Sequence, residues 1–148
     1  MRKCTLTSAH LRYHRPLAHP LHIILLVSTL PLFLGALLSD WAYTASYQVQ
    51  WINFASWLIA GALVLLGAAL LWTFVQALAS KAPHRRAAWV LFGLILVTFV
   101  AGFINALQHA KDAGATMPAG LTLSVVVFIL AAVSIGYGFV ATRSGEPT

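Results

Sequence analysis

Six histidines stand in this chain of 148 residues, and four of them, His10, His14, His19 and His22, crowd one stretch near the N-terminus, interleaved with Arg12 and Arg15. Imidazole is a common ligand for metals and haem, and His19 and His22 would share one face of a helix. A metal site on His10, His14, His19 and His22 is therefore one reading. Two observations oppose it: no acidic residue nearby completes such a site, and the neighbouring arginines repel a cation. The plainer reading is a basic arm that binds phosphate headgroups and caps the helix that follows. A second constellation is Asp40, Asn105 and His109, with Trp41 and Tyr43 alongside. An aspartate facing a histidine under aromatic cover could hold a quinone headgroup or relay a proton. The plainer reading there is that Asp40 ends one helix among headgroups and His109 caps another.

The elements that would position these residues are four long apolar runs, residues 21–38, 53–78, 87–107 and 119–142, joined by short polar connectors. Each approaches or exceeds the ~20 residues a helix needs to cross a ~30 Å hydrocarbon layer. The chain is 60% hydrophobic and 8% charged, with a mean hydropathy of +0.85, whereas soluble domains are about 25% charged. An all-α, four-helix transmembrane bundle follows, antiparallel and up-down-up-down, because the connectors are too short for anything but neighbouring hairpins. The expected helices cover residues 20–39, 53–79, 86–108 and 119–142. They are preceded by a basic arm at 1–18 and followed by a tail at 143–148. The first opens at His19-Pro20, proline being favoured where its missing N–H leaves nothing unpaired, and Pro31 should kink it. The second could reach ~40 Å and must tilt or protrude. No repeat of fixed period is apparent. Small residues four apart, Thr98 with Gly102, Ala132 with Gly136 and Ser134 with Gly138, offer faces for close helix approach or a homo-oligomer.

Charge orients the bundle. Arg2, Lys3, Arg12, Arg15, Lys81, Arg85, Arg86 and Arg143 fall on one side of a four-span topology, and Lys111 alone on the other. By the positive-inside rule both termini face the cytoplasm of a bacterial inner membrane. The loops 40–50 and 108–118 then face outward, with Trp41, Tyr43, Tyr47 and Trp51 as interfacial anchors or as a lining for a flat ligand. The basic balance, at a pI near 10.1, flanks helices, so anionic phospholipids rather than nucleic acid are the expected partner. The first run exceeds a signal-peptide core, and its removal would strand three spans, so the N-terminus is read as retained.

Histidine depth limits the cofactor. A b-type haem in a bundle needs two histidines on facing helices at one level. None lies in the core of a span: His22 and His84 sit near the inner boundary and His109 at the outer. A haem would therefore lie at the inner interface, on His22 with His84 or with His19. The single cysteine, Cys4, forms no internal disulfide, CxxC or CxxCH motif. There is no P-loop, GxGxxG or HExxH. With no ionisable group inside a span, a small transporter or channel is the weakest reading.

The stretch His19-Pro20-Leu21-His22, then Pro31, then Gly35-Ala36-Leu37-Leu38-Ser39-Asp40 resembles the bacterial inner-membrane family called domain of unknown function 2231. Residues 51–61, with Trp51, Trp57 and Gly61, look like the start of its second helix. The resemblance implies a four-helix membrane protein and marks His19, Pro20, His22 and Asp40. Relatives fused to Rieske-type modules or encoded near quinoprotein dehydrogenases imply respiratory electron transfer. This chain departs from the pattern late in helix 2, where Trp72 and Phe74 stand in place of an acidic residue. It departs again early in helix 3, where only His84 could supply the usual histidine. The function expected is a non-catalytic anchor or assembly partner of a periplasmic dehydrogenase or cytochrome. The rival is an electron-transfer subunit binding haem b or quinone.

Overall fold

The computed structural model describes residues 19–80 and 82–143. Five helices follow in chain order: α1 (Pro20–Ser46), α2 (Val49–Ala79), α3 (Ala82–His109), a single turn α4 (Ala113–Thr116) and α5 (Ala119–Arg143). All but α4 are long and apolar enough to cross a membrane. At 1.5 Å per residue α1 and α2 reach roughly 40 and 46 Å, longer than the hydrocarbon core, so both tilt or protrude.

Why the long helices pack as they do is visible in which residues turn inward. Along α1 these are His22, Leu26, Thr29, Phe33, Ala36, Asp40 and Tyr43; along α2 they are Ile52, Ala55, Ile59, Ala62, Leu66, Ala69 and Thr73. The spacing alternates between three and four, the seam of a left-handed bundle. Ala55, Ala62 and Ala69 recur every seventh residue on the buried side of α2. Small residues on that seam admit close approach, the main means by which helices associate where lipid is as apolar as leucine. Gly102 of α3, for example, faces Leu63 of α2 at 3.1 Å and Phe33 of α1 at 3.6 Å, measured from where a Cβ would stand. Leu26, Phe33, Leu66, Ile95, Val127 and Ala131 fill the middle of the bundle.

The main contacts join α1 to α2, α2 to α3, α3 to α5 and α5 back to α1, so the spans form a ring in chain order, with α1 and α3 on a diagonal. Partners run in opposite order along each neighbouring pair. His22 meets Thr73 while Gly35 meets Leu58, and Asn105 meets Ser124 while Leu91 meets Gly138. Neighbouring helices are therefore antiparallel. One end of the bundle, the terminal end, carries the start of α1, the end of α5 and the facing ends of α2 and α3. The other, the loop end, carries the α1–α2 and α3–α5 connections.

Two expectations from sequence are corrected here. Asp40 is not in a loop: α1 continues through it to Ser46, because nothing between Trp41 and Ser46 breaks a helix. The stop comes at Tyr47, whose left-handed backbone (φ 56°) turns its N–H onto the Tyr43 carbonyl at 2.7 Å. Nor do Ala132 and Gly136 pack inside the bundle. Both are exposed, and nothing lies within 4 Å of a Cβ built at Gly136.

Candidate functional site

At the loop end the seams of three helices bring polar residues together. Asp40 comes from α1, Asn105 and His109 from α3, and Ser124 from α5; Asp40 and Asn105 are fully buried and His109 is 5% exposed. Asp40 lies six residues inside the end of α1, about 9 Å along the axis. His109 Nε2 is 2.8 Å from Asp40 Oδ1, a bond that crosses the diagonal of the bundle. The Ser124 hydroxyl donates to Asp40 Oδ2 at 2.5 Å, the short distance of a charge-assisted bond. Asn105 Nδ2 donates to Ser124 Oγ at 3.0 Å, and His109 Nδ1 donates to the Asn105 carbonyl at 2.9 Å. The four residues form a closed circuit.

The circuit fixes its own protons. A carbonyl only accepts, so His109 Nδ1 carries a hydrogen. Nε2 then either carries a second and donates to ionised Asp40, or is bare and accepts from protonated Asp40. In both arrangements one proton lies between carboxyl and imidazole, and the pair is neutral as a unit. That is the form in which a carboxyl group is tolerated away from water. Gly120 makes the packing feasible: a Cβ there would stand 2.7 Å from Thr116 Cγ2 and 3.1 Å from His109 Cε1, so α5 lies flat on the imidazole only because the residue is glycine. One polar atom is left over. Asn105 Oδ1 is buried and has no hydrogen-bond partner among the described residues, which costs about 1–3 kcal/mol unless something supplies a donor.

At the terminal end His22 and His19 flank Trp72, with ring centroids 6.5 and 5.2 Å away. His19 Nδ1 accepts from the Leu21 N–H at 3.3 Å and so caps α1, as the plainer sequence reading has it. His22 is buried, its Nε2 2.8 Å from Thr73 Oγ1. Thr73 gives its only proton to the Ala69 carbonyl at 2.7 Å, so His22 Nε2 must be the donor. Beside it opens a shallow, half-open cleft of about 80 Å³, lined by residues of all four long helices. Its walls are apolar apart from His22, Thr73, Gln76 and Ser80. Ser80 donates to its own helix at the Gln76 carbonyl, whereas the Gln76 amide has no hydrogen bond among the described residues.

Of the residues singled out from sequence, Asp40, Asn105 and His109 converge, and His19 and His22 lie close together. His10 and His14 lie outside the described residues, as does the side chain of His84. No group of three or more metal-binding side chains occurs among the described residues. A haem does not fit the histidines described: His19 and His22 are on one helix, His22 Nε2 is committed to Thr73, and His109 has both ring nitrogens engaged at the opposite end. Ser124 and Thr73, which the sequence alone does not single out, join these two groups. Their phase on the seam, Ser124 with Val127 and Ala131, and Thr73 with Leu66 and Ala69, was the available signal.

No curated protein and no solved structure matches the chain. One family profile does, described as "Predicted membrane protein (DUF2231)", over residues 18–144. Four membrane-length helices, a seam that draws Asp40 of the Gly35–Asp40 segment into the interior, and a match across nearly the whole sequence agree: the chain belongs to the DUF2231 family of integral membrane proteins.

Proposed function

We propose that this protein is a non-catalytic membrane subunit that holds a quinone in the cleft at the terminal end and presents it to a partner redox enzyme. The observation that carries the reading is the cleft itself. It is open on one side, with apolar walls from four helices against which a ring can lie and an edge where His22, Gln76 and Ser80 stand together. A quinone offers carbonyl oxygens that accept from the Gln76 amide, and its apolar tail leaves between helices into lipid. The bias of eight Lys and Arg among nine toward the termini supports placing this end at the cytoplasmic face of a bacterial inner membrane. Quinone is favoured over haem because a ring bound by hydrogen bonds needs no second histidine. The loop-end circuit, also a candidate for a quinone headgroup from sequence, is closed on itself and leaves less room.

Trp72, stacked on His22, reports the site. A short-tailed quinone titrated into the protein in lipid nanodiscs should quench fluorescence saturably. Trp72→Phe should remove that component, and His22→Leu and Gln76→Leu should weaken binding about tenfold each. Linear quenching, equal in the wild type and all three variants, means simple partitioning and overturns the reading. A Soret band in the purified protein would replace quinone with haem.

A further inference from the structure

The loop-end circuit plays no part in the cleft, and its one loose end is informative. Asp40 is the only carboxyl group buried among the described residues. No charge but His109 faces it. Tyr43 lies one turn along α1, and α2 has no titratable side chain. Lys111 and Asp112 are exposed beyond α3, with Lys111 Nζ on Gln108 Oε1 at 2.7 Å. No titratable group of α5 lies at this level, since Tyr137 is toward the other end. Toward the midplane the way is closed by Phe33, Leu66, Ile95 and Val127. Toward the loop end Gly120 lies against the imidazole and Thr116 against Gly120, and His109 keeps 5% of its surface exposed.

We propose that Asp40, His109, Ser124 and Asn105 form a proton-binding site that takes up and releases one proton in exchange with water at the loop end. The resting circuit holds one proton between Asp40 and His109. On uptake, His109 keeps both ring hydrogens and Asp40 gains a hydrogen on Oδ2, so the site goes from neutral to a single positive charge. Asp40 Oδ2 then donates to Ser124, whose own hydrogen must find a new acceptor. Asn105 Oδ1 is that acceptor. It has no partner to lose, and a half-turn of the amide exchanges it with Nδ2 opposite Ser124. The orphaned oxygen thus reads as spare hydrogen-bonding capacity for the second proton.

The test is infrared difference spectroscopy of the protein in lipid between neutral and acid pH. A carboxyl C=O signal should appear or shift on acidification and vanish in Asp40→Asn. Asn105→Leu and Ser124→Ala should lower the proton affinity of the site about tenfold, by removing a hydrogen bond to a charged circuit. In vesicles of one orientation, only a pH change at the loop side should produce the signal. A difference spectrum identical in wild type and Asp40→Asn overturns the proposal and leaves a static strap. So does a midpoint unmoved in both Asn105→Leu and Ser124→Ala, or a response to the terminal side alone. Should Asn105→Leu lose its helical circular dichroism, Ser124→Ala decides, since a serine can be shortened without emptying the seam. Quinone binding at the other end of the bundle is not involved in any of these readings.

Discussion

Substitutions at Asp40 separate hydrogen bonding from charge. Leucine there removes the acceptor for two donors, His109 Nε2–H and the Ser124 hydroxyl. Ser124 recovers easily, since its hydroxyl can turn to a carbonyl one helical turn back. His109 cannot, because Nδ1 is held by the Asn105 carbonyl and Nε2 is left facing an alkyl group. Breaking a buried ion pair in a soluble protein costs about 3–5 kcal/mol. Single hydrogen bonds between membrane helices average only about 0.6 and reach about 1.7. The imidazole in Asp40→Leu can give up its charge, so the lower scale applies, with one stranded nitrogen added. The expected loss is about 2 kcal/mol, some 30-fold in the folding equilibrium. Asparagine behaves differently: its Nδ2 donates to a bare Nε2 and its Oδ1 accepts from Ser124. Every group is satisfied, and the expected loss is under about 0.7 kcal/mol. The double variant Asp40→Leu with His109→Leu removes both partners and should be more stable than Asp40→Leu alone. The assay is reversible unfolding in bicelles, followed by tryptophan fluorescence. If Asp40→Asn is as damaging as Asp40→Leu, or the double variant is worse than the single one, the circuit is not organised as described.

Three further outcomes are expected from the glycines. Gly120→Ala puts a methyl group 2.7 Å from Thr116 Cγ2 and 3.1 Å from His109 Cε1; the same unfolding assay should show a loss of about 1–3 kcal/mol, and the infrared signal of Asp40 should move as the imidazole is displaced. Gly102→Ala meets the flexible end of Leu63 at 3.1 Å and Gly136→Ala meets nothing, so the first should cost less than about 1 kcal/mol and the second fall within about 0.5 kcal/mol of wild type.

The fold was legible because lipid imposes a simple rule: an apolar run of sufficient length must be a helix. Where each helix stops was less legible. The chain between Asp40 and Gln50 reads as a polar loop, yet residues 41–46 carry no breaker, and their hydroxyls turn inward. Thr44 bonds the Trp41 carbonyl and Ser46 that of Ala42, so polarity there is absorbed by the helix itself. The convergence of Asp40, Asn105 and His109 could be reasoned from two helices ending on one side. Ser124 could not, because a lone serine in a membrane helix more often bonds its own backbone, as Ser56 does with the Ile52 carbonyl. Only the phase of the buried seam, set by packing among four helices at once, tells Ser124 from the hydroxyls that merely bond back.

The sequence separation within the circuit has a consequence for biogenesis. Asp40 and His109 lie 69 residues apart, and Asp40 and Ser124 lie 84 apart. A ribosome adding about 5–20 residues per second needs on the order of 4–17 s to bridge the longer gap. For most of that interval, until His109 is made, the first segment has emerged with a carboxyl group and no mate. The translocon must either shelter this helix or release it with the acid neutralised, and assembly completes only when the last span arrives. Truncation after the second span should therefore leave a nascent chain that quality-control proteases recognise at its oldest helix rather than at its newest.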